Sequence, residues 1–104
     1  VLLALIIEKI TGQDFPTYIN ETIFKPLNME HSFVMSQQNM DKYLPSYNAQ
    51  MVPYQVEKYD MIYGDKNVYS TARDLYLWDK ALTEGRFLQP TTLEMAYIYL
   101  RLCP

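Results

Sequence analysis

The glycines and prolines of this chain divide it into short segments and constrain its fold more than any other sequence feature. The 104 residues include three glycines and six prolines. Glycine readily adopts the left-handed conformation that ends a helix, whereas proline is tolerated in the first helical turn but breaks a helix further inside. Their positions are Gly12, Pro16, Pro26, Pro45, Pro53, Gly64, Gly85, Pro90 and Pro104. We therefore expect several short elements and no long helix.

The first segment, Val1 to Thr11, is apolar on nearly every side. Hydrophobic periodicity alone does not separate a buried helix from a buried strand here, but Gly12 directly after the segment favours a helix. We predict a helix that is buried on most of its surface and begins at or before Val1. The apolar run ends at Glu8, well short of the about 20 residues that cross a membrane, so no membrane span is expected.

A second helix is predicted from an N-cap at Asp14 to about Phe24. The Asp14 side chain can accept hydrogen bonds from the first helical turn, and Pro26 stops the helix. Its buried stripe repeats every four residues and consists of Phe15, Ile19 and Ile23. The turn at residues 27–29 is expected to place apolar side chains in the core.

The middle of the chain, from Ser32 to Tyr63, has no helical period. Alternating side chains from Tyr47 to Val56 predict a short exposed β-hairpin, which Pro53 confines to a sheet edge. An irregular stretch of this length is uncommon inside a small domain. We interpret it as a sign that the segment lies against a larger surface.

Two more helices are expected after a polar turn at residues 64–67. Ser70 or Thr71 should cap the first one, with Asp74 in its first turn complementing the helix dipole. Its inward face is predicted to hold Leu75, Trp78 and Leu82, with Ala72 and Ala81 beside them, and Gly85 ends it.

The last helix is predicted from Pro90 to Leu100, with Leu93 and Met95 facing inward. Together these elements define a mainly α fold class of about four helices, with a long irregular middle segment that can hold a short hairpin. One domain covers residues 1–104 in this interpretation.

Composition and charge exclude several function classes. The 12 acidic and 9 basic residues leave a net charge of −3, which argues against a nucleic-acid partner because phosphate binding needs clustered Lys and Arg. The ten tyrosines would suit a stacking surface, but packing in a thin core is favoured.

One histidine, His31, and one cysteine, Cys103, lack metal-ligand spacing, so no metal or other cofactor is expected. His31 is interpreted as a surface or hydrogen-bonded residue.

No complete catalytic motif is present in the sequence. Ser-x-x-Lys, Gly-x-Ser-x-Gly and glycine-rich phosphate loops are all missing. Two triplets, Tyr18-Ile19-Asn20 and Ser46-Tyr47-Asn48, are similar to the Tyr-x-Asn and Ser-x-Asn motifs of penicillin-recognising enzymes. The first lies within a predicted helix, where residues two apart point about 200° apart, and the second lacks a partner nucleophile. No catalytic residue is therefore predicted.

Two blocks of sequence together resemble one known family. The first covers residues 3–15 and continues with Ile23-Phe24-Lys25-Pro26-Leu27-Asn28-Met29; the second is Gly64-Asp65-Lys66-Asn67-Val68-Tyr69-Ser70-Thr71-Ala72-Arg73-Asp74-Leu75, followed by Trp78-Asp79 and Ala81-Leu82. In order and spacing they resemble the helical lobe of serine β-lactamase-like hydrolases, the group of class C β-lactamases, penicillin-binding DD-peptidases and esterases. Asn28 and Asn67 stand where this family usually has glycine, and Asn also adopts a positive φ.

This resemblance implies that the catalytic motifs lie elsewhere in a longer protein. The first residue is Val1 and not methionine, which also suggests that the chain is a piece of something longer. A Ser-x-x-Lys nucleophile and a Tyr-x-Asn triplet would precede Val1, and a Lys-Thr-Gly or His-x-Gly strand would follow Pro104. The chain is then a helical lobe without its α/β half, inactive alone, from a parent that performs acyl transfer on an amide or ester. A periplasmic or cell-surface location is implied by the family only. A free-standing binding or scaffold module, or a pseudoenzyme remnant, is the alternative.

The resemblance also implies site residues and partners. In this family the segment corresponding to 64–70 lies along one edge of the substrate cleft, so Lys66 and Tyr69 are cleft-wall candidates for substrate binding; ordinary turn chemistry before a capped helix explains the same residues. The missing α/β half is the expected partner. Without it, apolar surface at Leu2, Leu3 and Ile6 should be exposed, and we expect a homodimer or a domain swap.

Overall fold

A computed structural model describes residues 1–55, 62–64 and 66–102 of the chain, with side chains described up to residue 98. These residues form four α-helices, one two-stranded antiparallel sheet and two shorter helical turns, which confirms the mainly α class. In chain order the elements are α1 (Leu2–Thr11), α2 (Phe15–Ile19), a π-helical turn (Asn20–Phe24), β1 (Phe33–Val34), a 3-10 turn (Gln37–Asn39), β2 (Val68–Tyr69), α3 (Ala72–Thr83) and α4 (Pro90–Leu102). None of the helices in this described part has the length and apolar character that crossing a bilayer requires.

Helix α1 ends as predicted but is not buried as predicted. Gly12 has φ 72° and its N–H donates to the Glu8 carbonyl at 2.8 Å, which closes the helix. Ala4 is the one buried residue of α1, whereas Leu2 and Ile10 are 72% and 79% exposed. The expectation of burial on most sides is therefore wrong. The buried side of α1 faces α2 and residues 62–64, and most of its other side chains are exposed.

Helix α2 begins as predicted, because the Asp14 side chain accepts from the Thr17 N–H at 3.1 Å. It then widens into the π-helical turn, where the Lys25 N–H donates to the Asn20 carbonyl five residues earlier. The extra residue in this turn shifts the helical phase by about 100°. Phe24 is consequently buried, while Ile23, which the four-residue repeat placed inside, is only half-buried.

In the part of the chain that the structure describes, five residues distant in sequence form the main core cluster, and seven half-buried side chains pack around them. The core residues are Ala4, Phe15, Phe24, Met29 and Val34; the surrounding ones are Ile7, Ile19, Ile23, Leu27, Tyr63, Leu77 and Trp78. Met29 reaches the core because the preceding Asn28 takes φ 57°, which confirms the expected turn at residues 27–29.

The segment at residues 62–64 crosses α1 at Ala4. A Cβ on Gly64 would lie 2.8 Å from the Ala4 Cβ, and Gly64 has φ 103°. Both the close approach and the positive φ require glycine at this position. The two small residues therefore let this segment lie directly on the first helix.

The middle of the chain contains the predicted hairpin and an additional sheet. Tyr47 and Pro53 form a β-bridge, and the Tyr54 N–H donates to the Ser46 carbonyl at 2.8 Å. The hairpin is confirmed over these residues, while its predicted end at Val56 lies outside the described residues. The pairing of β1 with β2 was not expected, because each strand has only two residues and they lie far apart in sequence.

Helix α3 is capped as predicted but turned about its axis. The Thr71 hydroxyl accepts from the Asp74 N–H at 3.2 Å. Leu75 is 54% exposed and Ala72 is exposed too, so their inward placement is wrong. Trp78, Ala81 and Leu82 are buried or half-buried as predicted. Asp74 and Leu77 complete the inward face in place of Leu75 and Ala72. The rotation follows from Asp74, which is buried although charged.

Helix α4 begins at Pro90 as predicted and ends at Leu102, two residues beyond the predicted end. Leu93 is half-buried, but Met95 is 63% exposed, so its inward placement is wrong. Gly85, with φ 67°, follows the end of α3 as expected. Cys103 lies outside the described residues.

Candidate functional site

The segment that carries both predicted cleft-wall residues is held beside β1. Phe33 pairs with Tyr69 and Val34 pairs with Val68, in antiparallel register. One step further, the Met35 N–H donates to the Asn67 carbonyl at 2.8 Å. The backbone that follows the 64–67 turn is therefore fixed against β1 and Met35.

Tyr69 packs within a group of three aromatic rings. Its ring stacks on Phe33, with centroids 5.4 Å apart and planes 5° from parallel, and Tyr43 meets it edge-on at 6.0 Å. Stacked and edge-to-face contacts of this kind add stability beyond the buried area. Tyr69 remains half-buried, so part of the ring lies at the surface.

Lys66 lies at the tip of the turn and is exposed. Asn67 next to it has φ 69°, and its side-chain amide donates to the Ile62 carbonyl at 2.6 Å. The asparagine thus adopts the left-handed conformation expected of it and closes the turn through its side chain. The turn places Lys66 and Tyr69 on one short segment.

A carboxylate on α1 anchors the start of this segment. Oε1 of Glu8 accepts from the Tyr63 hydroxyl and from the Phe15 N–H, each at 2.9 Å. The Tyr63 ring also stacks on Phe15, with centroids 5.4 Å apart. Tyr63 is thereby fixed by both ends of its side chain, directly before Gly64.

The environment of Tyr63 raises the pKa of its hydroxyl above the ordinary value of 10.0. Burial is the main cause, because it disfavours the charged phenolate. The hydrogen bond donated to Glu8 and the negative charges of Glu8 and Asp14 act in the same direction. Tyr63 therefore stays protonated, and its bond to Glu8 is present at neutral pH.

A second carboxylate, which is buried, lies at the other end of the segment. Asp74 is 1% exposed; its Oδ2 accepts from the Ser32 hydroxyl at 2.7 Å and from the His31 N–H at 2.9 Å. The Ser32 hydroxyl lies 2.8 Å from the hydroxyl of Ser70. This Asp74 cluster, made of Asp74, His31, Ser32 and Ser70, joins the turn before β1 to the residue after β2.

The described residues do not assemble a nucleophile with its base. Among their hydrogen bonds, none joins a serine or threonine hydroxyl to an amine or imidazole, which acyl-transfer chemistry requires. His31 contributes its backbone N–H, and its side chain is exposed. The Asn48 side chain accepts from the N–H groups of Gln50 and Val52, so the Ser46-Tyr47-Asn48 triplet builds the hairpin turn.

Metal chemistry has no residue cluster to support it in the described part of the chain. No group of three or more His, Cys, Asp or Glu side chains gathers there.

An open groove of about 670 Å³ between α2 and residues 30–42 is mostly polar. Its polar side chains include Asp14, which caps α2, and Ser36 and Asn39, which cap each other across the 3-10 turn.

Sequence reasoning missed both anchoring carboxylates. The sequence places Glu8 in the first helix and Asp74 in the first turn of a later helix, and it predicts no distant hydrogen-bond partner for either. Neither carboxylate has a sequence signal for its role. Tyr63 lies 55 residues from Glu8 along the chain, and Ser32 and His31 lie 42 and 43 residues from Asp74. A buried carboxylate becomes recognisable only when its hydrogen-bond donors are in place.

Comparison with known proteins defines the class to which these elements belong. The Beta-lactamase family matches residues 1–102, so the chain belongs to this family. It is 31% identical, over 98% of its length, to penicillin-binding protein 4* of Bacillus subtilis (strain 168). It is 28% identical, over 92% of its length, to PbpX of the same strain, whose assignment as a penicillin-binding protein is provisional. The chain spans about a quarter of each relative, 26% in both cases. No solved structure matches it at comparable significance.

Replacing Tyr63 by Phe should change stability in a pH-dependent way. The raised pKa means that the Tyr63–Glu8 contribution is complete below the unfolded-state pKa and is lost as the pH rises through the folded-state pKa. We expect Tyr63→Phe to lower the free energy of unfolding by about 1 kcal/mol at neutral pH, and the difference to vanish in alkaline solution. Urea unfolding at a series of pH values measures it. Tyr76→Phe, on an exposed ring, is the control, and a difference independent of pH would contradict the assignment.

Proposed function

We propose that this chain is the helical lobe of a serine hydrolase of the β-lactamase and penicillin-binding group, and that it walls the substrate cleft without supplying a catalytic residue. The family match over residues 1–102 carries the proposal. Two penicillin-binding relatives that are about four times longer support it, because they leave room for an α/β half outside the matched region. Residues 1–104 are then one unit of a larger domain.

The hydrogen bonding of the hydroxyl groups supports the non-catalytic part of this proposal. A serine nucleophile needs a base within hydrogen-bond reach to accept its proton. Ser32 donates to a carboxylate, which is a much weaker base than an amine or an imidazole and which also accepts a backbone N–H. In the intact enzyme the nucleophile, its base and the oxyanion donors come from the other part of the protein, where serine attacks the carbonyl of an amide or ester.

Lys66 and Tyr69 are our candidates for contact with the substrate. They lie three residues apart on a segment anchored by Glu8 at one end and by the Asp74 cluster at the other. An exposed ammonium group and a half-buried ring can bind a substrate from the side and orient it. Neither group needs to touch the bond that breaks.

The exposed apolar side of α1 is proposed to pack against the α/β half in the intact protein. Leu2, Leu5 and Ile6 are 72%, 53% and 45% exposed, and with Lys9 and Ile10 they line a shallow apolar depression. Contiguous apolar surface of this kind marks an interaction site. The isolated chain then covers this surface by self-association as a dimer.

The central proposal is tested by comparing the 104-residue chain with the full-length protein of the same gene. The full-length protein should react with a chromogenic β-lactam or a short-chain aryl ester. The 104-residue chain should give no turnover above a buffer blank, because the nucleophile and its base are outside it. Turnover by the pure chain would refute the non-catalytic role, and a full-length protein inert to both reagents would favour a scaffold or pseudoenzyme.

Changes at the proposed wall should affect substrate binding more than chemistry. In the full-length protein, we expect Lys66→Ala and Tyr69→Ala each to raise KM about 3- to 10-fold, equivalent to about 0.7–1.4 kcal/mol, with little change in kcat. Lys80→Ala and Tyr76→Ala, at exposed positions of α3, are matched controls. Steady-state kinetics with the reactive substrate measures the effect, and equal behaviour of wall and control variants would remove both residues from the site.

Charges placed on α1 should prevent self-association of the 104-residue chain. The chain is expected to sediment as a dimer at micromolar concentration, and Leu2→Lys combined with Ile6→Lys to sediment as a monomer, because burying two ammonium groups is costly. Leu44→Lys, at an apolar residue 86% exposed on the middle segment, should remain dimeric. Sedimentation velocity measures this, and a monomeric parent chain across the micromolar range would contradict the prediction.

A further inference from the structure

We propose that Asp74 is a positioning residue for the cleft wall: its buried carboxylate sets the pairing of β1 with β2 and thereby the placement of Tyr69 and Lys66. The inference rests on the proposed function for its link to substrate, while the structural part stands on the contacts of Asp74 alone. Those contacts reach Ser32 and His31, which lie 42 and 43 residues from Asp74 along the chain.

The carboxylate orders a chain of hydroxyl groups. Ser32 has one hydroxyl proton, and it is donated to Oδ2 of Asp74 at 2.7 Å. In the contact of 2.8 Å between Ser32 and Ser70, Ser70 is then the donor and Ser32 the acceptor, because the alternative acceptor of the Ser70 proton, the Thr71 carbonyl, lies further away at 3.4 Å. Charge on the acceptor strengthens the first bond and, through it, polarises the second.

Capping of α3 does not account for this arrangement. The Thr71 hydroxyl already accepts the Asp74 N–H at the start of the helix. The carboxylate is directed away from its own helix, to the N–H of His31 and the hydroxyl of Ser32. Among the described residues no Lys or Arg forms an ion pair with it, so hydrogen bonds and the α3 dipole satisfy the charge.

The cluster closes one end of a very short sheet. Ser32 directly precedes β1 and Ser70 directly follows β2, so their contact lies beside the Phe33–Tyr69 pair. A ladder of two residues per strand is marginal by itself. The Asp74 cluster therefore fixes its register, and a slip by one residue would move Tyr69 to the opposite face.

A positioning role differs from a purely stabilising one in a measurable way. Loss of stability alone lowers the unfolding midpoint but leaves the folded wall unchanged well below that midpoint. Loss of positioning loosens the sheet in the folded protein. The Met35 N–H reports this loosening, because it donates to the Asn67 carbonyl and does not touch Asp74.

The experiment compares Asp74→Ala with Asp74→Asn in the full-length protein. We expect Asp74→Ala to speed hydrogen exchange at the Met35 amide about tenfold and to lower the second-order rate constant for acylation by a chromogenic β-lactam about tenfold. Asp74→Asn should recover most of both losses, because its amide oxygen accepts the same two bonds. Ser32→Ala keeps the bond from the His31 N–H, so its exchange and acylation rates should lie between those of the two Asp74 variants. It replaces Asp74→Ala in the comparison if Asp74→Ala does not fold.

The matched control is Ala81→Gly, at a buried position on the same helix outside the Asp74 cluster. It should lower the unfolding midpoint without changing Met35 exchange or the acylation rate at low temperature. Unchanged Met35 exchange in Asp74→Ala and Ser32→Ala, or equal effects in Ala81→Gly, would overturn the positioning role. If the unmodified protein does not react with the β-lactam, the proposed function fails, and the exchange measurements still decide the role of Asp74.

Discussion

One carboxylate oxygen of Glu8 holds three segments of this protein together. It accepts the Phe15 N–H at the start of α2 and the Tyr63 hydroxyl, while Glu8 itself belongs to α1. Phe15 is a core residue, and Tyr63 stacks on it. The interaction thus connects the core to the segment that leads into the candidate wall.

Asp74 accepts the corresponding hydrogen bonds near the other end of residues 63–70. Both carboxylates are on helices, and both accept bonds from residues far away in sequence. Because helices are rigid over several turns, a carboxylate on a helix can hold a loop at a defined position. Residues 63–70 lie between these two carboxylates, and their pairing with β1 covers only two residues of each strand.

Helix ends were predictable from the sequence, and helix faces were less so. The caps at Asp14 and Thr71 and the end at Gly12 depend on residues within one turn, so local chemistry determines them. The buried face of α3 was predicted in part: Trp78, Ala81 and Leu82 face inward, but periodicity counts apolar side chains and so did not include Asp74. For α2, the π-helical turn changed the phase in a way that no spacing rule contains.

The sequence by itself determined the family, the number of helices, their caps and breakers, and the absence of a complete catalytic motif from these residues. Each of these depends on neighbouring residues or on motif order. The tertiary structure alone decided that β1 pairs with β2, that Tyr69 stacks on Phe33, and that Glu8 accepts from Tyr63 and Asp74 from Ser32. The reason is physical: the sequence separations of 42 to 55 residues in these hydrogen bonds are closed only when the core has formed.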